Sequence, residues 1–194
     1  MASEVEVCNM ALYRVGNSQT IASLDEGSTQ SIACKAFFAQ TRDAVLRDFP
    51  WAFATKRAVG QLLSETPPAT WGFAYALPSD CIRLRAIEHP SLRIPRVDQR
   101  VPFEISGRSV YTDLEEASLV YTYRATDLSL WDPLAISALA WALAVELALG
   151  VVGKPDFANA ARQAYRVAIT ETWAASLGEG HDNLPESEFI TGRN

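Results

Sequence analysis

Histidine, methionine and cysteine are scarce in this chain, at two, two and three residues among 194. His89 stands before Pro90, and His181 stands beside Asp182 near the C-terminus. Nucleophilic catalysis of the Ser-His-Asp kind needs an imidazole held rigidly against its nucleophile. A loop between strands and a polar terminal segment, where these two fall, offer little of that rigidity. The sequence has no G-x-S-x-G, no Walker loop, no G-x-G-x-x-G and no H-E-x-x-H. Cys8, Cys34 and Cys81 are odd in number and form no C-x-x-C pair, so reduced, buried thiols are expected. Glu115 and Glu116 are adjacent rather than facing, as in a solvated turn. No catalytic residue, cofactor or metal ligand is expected, and the chain reads as non-enzymatic.

Basic surplus is missing too. The formal net charge is -6, where a general DNA-binding protein carries a positive balance. The start, Met1-Ala2-Ser3-Glu4, has no basic stretch followed by an apolar one; no signal peptide is expected. One long apolar run exists, Leu134 to Val152, interrupted by Ser137 and Glu146. A central carboxylate is costly in lipid, so a helix buried by protein is expected there and no membrane partner.

What is present is ordinary globular material, 48% hydrophobic and 21% charged. Ser3-Glu4-Val5-Glu6 matches a capping box, after which Val5, Cys8, Leu12 and Val15 share a helical face ending at Gly16. A second helix is predicted from Ser28 to Phe49, with Ile32, Phe37, Ala44 and Val45 as its buried stripe and Phe38 and Leu46 at the edges. Pro50 ends it, and Trp51 and Phe53 must then be buried by another element.

Beyond Thr66-Pro67-Pro68, strands are predicted at Phe73–Pro78, Ile82–Ile87 and Leu119–Arg124. Phe103–Ile105 and Val110–Thr112 form a hairpin around Gly107. Asp132-Pro133 is an N-cap followed by a first-turn proline, opening a buried helix to about Leu149. Pro155 begins a last helix, apolar at Phe157, Ala161, Ala164, Tyr165 and Ala168, ending near Gly178.

The order helices, strands, helices gives an α+β fold. A core of about four helices, an N-terminal pair (1–56) and a C-terminal pair (131–178), carries an inserted antiparallel β module (57–130). Residues 179–194 follow as an extended arm or a disordered tail. Fully extended, that segment spans on the order of 50 Å; Leu184, Pro185, Phe189 and Ile190 are its candidate contact residues.

Two further features bear on partners. Glu146 sits within the most apolar helix: it is either buried against an arginine of this or a neighbouring subunit, or on a partly exposed face. Between Ile82 and Arg108, six arginines face three carboxylates, a local +3 against -9 elsewhere. Such a module attracts nucleic acid or an acidic protein surface, or is a solvated strand face. Arg93, Arg96 and Arg100 are its candidate contacts.

Several segments together resemble the head-to-tail adaptor proteins of tailed bacteriophages, of the tail tubular protein A type. They are Cys8-Asn9-Met10-Ala11-Leu12, Arg42-Asp43 leading to Phe49-Pro50-Trp51-Ala52-Phe53-Ala54, and Tyr75-Ala76-Leu77-Pro78-Ser79-Asp80-Cys81. Tyr111-Thr112-Asp113 before Leu119-Val120-Tyr121, Trp131-Asp132-Pro133 and the helix from Ala138 to Ala148 complete the set. They occur in the family's order and span most of Val5 to Leu177; the terminal tail is not part of the match. The resemblance implies a homo-oligomeric ring, a dodecamer, docked beneath the portal protein at the neck of the virion after assembly in the host cytoplasm. Viral DNA would pass through its lumen without sequence-specific binding, and the next tail protein, a nozzle or tail terminator, would dock below. The arm would contact the portal, and the three arginines the next tail protein or a neighbouring subunit. The alternative is a small nucleic-acid-binding or DNA-packaging accessory protein; an enzyme of unknown type stands third.

Overall fold

A computed structural model describes residues 2–89 and 101–179. Helix α1 spans Glu4–Arg14 and opens with the capping box expected from the sequence. The Glu6 amide donates to Ser3 Oγ at 3.2 Å, and the Ser3 amide donates to Glu6 Oε2 at 2.7 Å. The following loop is fastened to α1 by Asn9. Its carboxamide donates to Ile21 O at 2.9 Å and accepts from Ile21 N at 2.8 Å, and Ile21 is buried.

Helix α2, Thr29–Asp48, is capped by Ser28 and stops before Pro50 as expected. Its buried side differs from the predicted stripe. Ser31, Cys34, Phe38, Thr41, Arg42, Val45 and Leu46 face inward, while Ile32 is 61% exposed and Ala44 is exposed. Apolar residues are distributed around most of this helix, so periodicity alone does not select a face. The neighbouring helices select it.

The β module has two antiparallel sheets. One runs in the order β1 (Thr55–Val59), β7 (Ser118–Tyr123), β4 (Cys81–Glu88). The other runs β2 (Gln61–Leu62), β3 (Phe73–Ala76), β6 (Ser109–Thr112), β5 (Glu104–Ser106). Strands β1 and β2 lie in a stretch for which no strand was predicted, since Lys56, Arg57 and Gln61 leave them mostly polar and exposed. Thr55 pairs with Thr122, so the chain enters and leaves the module side by side. That geometry lets a strand module sit between two helices of one core.

Gly60 joins β1 to β2 and donates to Ala117 O at 2.7 Å. A Cβ there would stand 2.7 Å from the Tyr75 ring. Tyr75, Leu84, Ile87, Val110, Ala117, Leu119 and Tyr121 form the core of the module. On β7, Leu119 and Tyr121 belong to that core, while Val120 and Thr122 alternate to the opposite face and are buried as well.

Helix α3, Pro133–Leu147, is the axis of the helical body. Asp132 Oδ1 accepts from Leu134 N at 2.7 Å with Pro133 in the first turn. Pro133–Val152 has the length and apolarity of a membrane span, yet α1, α2 and helix α4 (Pro155–Glu179) all pack on α3. Its Ala-rich surface allows close approach on several sides, and eight of its residues are buried. One π-type turn, Ala148–Val152, and Gly153 at φ 67° lead into α4. On α4, Ala158, Ala161 and Ala168 are buried and Phe157 is 36% exposed.

The aromatics after α2 form a continuous row in which Phe49, Trp51 and Trp131 are buried, Phe53 is partly buried and Trp173 is half exposed. Ring centroids are 5.2 Å apart for Trp173–Phe49, 4.7 Å for Phe49–Trp51, 5.7 Å for Trp51–Phe53 and 5.1 Å for Phe53–Trp131. The row links α4, the end of α2 and the start of α3. Each tryptophan at a helix–strand boundary also donates six residues back: Trp51 Nε1 to Val45 O at 2.9 Å, Trp131 Nε1 to Ala125 O at 3.2 Å.

Candidate functional site

The joint between the two halves is built at the C-terminus of α2. A helix end leaves its last carbonyls without intrahelical donors and carries partial negative charge. Here β4 supplies the donors. Arg85 Nη2 donates to Phe49 O at 2.8 Å and Arg47 O at 3.1 Å, while its Nε donates to Thr122 Oγ1 at 2.8 Å. Arg83 Nη1 donates to Arg47 O at 3.1 Å, and Arg47 Nη1 returns a bond to Ile82 O at 2.9 Å. Burial, then the nearby Arg83 and Arg47, lower the pKa of Arg85; an arginine retains its charge in such a site.

A second tie lies beside it. Asp43 Oδ1 accepts from Arg42 Nε at 3.0 Å and Nη2 at 2.8 Å, while Oδ2 accepts from Arg124 Nε at 2.8 Å. Arg42 and Asp43 belong to α2, and Arg124 follows β7. Within the module, Asp80 joins Lys56 Nζ at 2.8 Å and the Tyr121 hydroxyl at 3.1 Å. The Lys56 ammonium holds Asp80 below the ordinary carboxylate range. Burial and Asp80 together push Tyr121 up to about 12.

These contacts revise the reading of the basic stretch. Arg83 and Arg85 are not merely a solvated face; they hold the module to the body. Arg108 is likewise engaged, its Nη2 donating to Leu77 O at 2.9 Å and Pro78 O at 2.7 Å. The alternation in Arg83-x-Arg85 was legible in the sequence, but the carbonyls it serves were not. Arg93, Arg96 and Arg100 lie outside the described residues, as do Leu184, Pro185, Phe189 and Ile190.

On the opposite side of α2 runs a groove of about 780 Å³ between α2 and α4, with Ala142 and Val145 of α3 as its floor. Phe37, Val45 and Ile169 wall it. The Tyr165 hydroxyl spans it, donating to Asp48 Oδ2 at 2.7 Å. Burial and that carboxylate raise the Tyr165 pKa. Arg162, Arg166 and Glu146 stand along the rim. Glu146 is exposed on this chain rather than buried in it: α3 turns it, with Ala142 and Val145, toward the groove while Leu143, Ala144 and Leu147 face the core. No sequence signal pointed to Tyr165 as a polar partner of Asp48, 117 residues earlier.

Exposed apolar side chains occur on both halves. Val59 at 85%, Leu62 and Ile105 are on the module; Tyr13, Ile32, Val167 and Trp173 are on the helices. Among the described residues no three His, Cys, Asp or Glu side chains cluster as a metal site would require. Cys8 and Cys34 are buried free thiols; their mutual hydrogen bond and burial push the Cys8 thiol up. No protein-family model matches the chain, and no curated protein matches it.

Proposed function

We propose that this chain is a structural adaptor subunit of a tailed bacteriophage, forming a ring beneath the portal that joins capsid to tail and continues the DNA channel. The observation that carries the reading is the arginine-capped joint at the end of α2. Arg83 and Arg85 fix the β module to the helical body through charged donors on backbone carbonyls, so one subunit presents two unlike units tied at one joint. The head-to-tail contacts of a ring use two different patches on each copy, which two unlike units can supply. Exposed apolar residues on both halves supply material for those patches. The ordered set of resembling segments, from Cys8 to Ala148, adds the identity of the neighbours: the portal above, the next tail protein below.

In this reading residues 179–194 contact the portal, and Arg93, Arg96 and Arg100 face the next tail protein or a neighbouring subunit. Electron microscopy of the purified protein, alone and mixed with a portal ring, tests it. Coaxial stacking is expected. A monomer that ignores the portal and binds DNA in a salt-dependent way overturns it in favour of a packaging accessory. Deletion of 179–194 is expected to weaken docking. Serine at Arg93, Arg96 and Arg100 is expected to impair tail completion while the fold stays intact.

A further inference from the structure

We propose that the groove between α2 and α4 seats the chain's own residues 184–190. This concerns where that segment lies when no portal is present, and it stands apart from the ring reading. The groove, about 780 Å³, combines an apolar interior at Phe37, Val45 and Ile169 with two cations, Arg162 and Arg166, one turn apart on the α4 rim. Both arginines are exposed. The terminal segment carries the complementary pattern, Glu186-Ser187-Glu188-Phe189-Ile190. In an extended conformation Glu186 and Glu188 fall on one face and Phe189 on the other, so the carboxylates meet the rim while the ring enters the groove. The groove also carries two carboxylates, Asp48, which accepts from Tyr165, and Glu146, so the attraction is local to the Arg162 and Arg166 edge rather than a net charge of the groove.

Reach and connection favour the same chain as occupant. Thr170 and Arg162 bound the α4 side of the groove. At 1.5 Å per residue they lie about 14 and 26 Å back along the helix from Glu179. The nine residues from Glu179 to Glu188 span up to roughly 30 Å. A tethered segment also meets its site at an effective concentration on the order of millimolar, which a second copy in dilute solution does not match.

Disulfide trapping in the full-length chain tests this, with Cys81→Ser removing the one cysteine that is not buried. Gln40→Cys, on the exposed α2 lip of the groove, combined with Phe189→Cys and exposed to oxidised glutathione, is expected to give an internally cross-linked monomer on a non-reducing gel. Adding Arg162→Glu and Arg166→Glu is expected to slow trapping roughly fivefold, the scale of two reversed exposed ion pairs, with an unchanged circular dichroism spectrum. A cross-linked dimer overturns the proposal in favour of exchange between copies. Absent trapping overturns it outright, as does trapping indifferent to the charge reversal. None of these outcomes bears on portal stacking, so the two readings fail separately.

Discussion

Arg85 of β4 donates through Nη2 to the carbonyl of Phe49, 2.8 Å away and 36 residues earlier, at the point where α2 gives way to Pro50. The bond belongs to a set that serves the whole end of the helix: Trp51 takes the Val45 carbonyl, and Arg83 and Arg85 share that of Arg47. A glycine cap would have satisfied these groups locally. Arginines from a distant strand satisfy them while fastening two structural units together.

Replacing Arg85 with alanine is therefore expected to cost about 2–3 kcal/mol, because charged donors leave and partly buried carbonyls remain unpaired. Chemical denaturation measures this. Lysine should recover less than half of the loss, since one ammonium cannot span Phe49, Arg47 and Thr122 together. A loss below about 0.5 kcal/mol, the ordinary surface value, would refute the cap.

Trp51 is 2% exposed and is the middle of the aromatic row. Alanine there is expected to cost about 3–5 kcal/mol and to abolish much of the near-ultraviolet circular dichroism. Phenylalanine keeps most of the packing but strands the Val45 carbonyl, an expected cost of about 1–2 kcal/mol.

Gly60→Ala places a methyl group 2.7 Å from the Tyr75 ring and 3.0 Å from Ala117 O. Tyr75 is fully buried with its hydroxyl bonded to Leu114 O, so it has little room to yield. Overpacking of this kind costs about 1–3 kcal/mol. Thermal melting should show the drop, and a melting point equal to the parent's would mean that the junction between the sheets is looser than described.

Alkaline pH should weaken the fold through three tyrosines: burial raises Tyr75, and Tyr121 and Tyr165 are raised by burial and a carboxylate each. Tyr121 is pushed up to about 12, and Tyr165 is raised as well, from an ordinary value of 10.0. Above pH 10 the unfolded chain releases protons that the folded chain retains, so stability falls with rising pH. For Tyr121 the fall continues to about pH 12, where the folded form ionises too. Tyr165→Phe and Tyr121→Phe should each flatten the alkaline limb of a stability–pH curve. An unchanged limb in both variants would show that neither hydroxyl carries it. At the acid end, Asp80 acts in the opposite sense. Its pKa is depressed by Lys56, so its contribution is present above the unfolded value of 3.8 and is lost as pH falls below it.

The local punctuation of this protein is legible in its residues alone. Ser3 and Glu6 cap α1, Ser28 opens α2, Pro50 closes it, Asp132-Pro133 starts α3 and Gly107 turns the β5–β6 hairpin. Each of these depends on residues within a few positions of one another, so the pattern is visible in the string. The string also pointed to a protein-buried α3, because the carboxylate of Glu146 within the apolar run disfavours lipid and leaves a helical core as its place. Packing between distant elements sets which side of α2 faces inward, where β1 and β2 pair, and that Glu146 faces a groove. The same holds for Arg83 and Arg85, which bind helix carbonyls rather than solvent. Those outcomes depend on partners from 13 residues away, as for Leu62 and Tyr75, to 117, as for Asp48 and Tyr165. α2 carries apolar side chains on several faces and β1 and β2 few, so the choice passed to whichever neighbours could bury surface and satisfy the free carbonyls at the helix end.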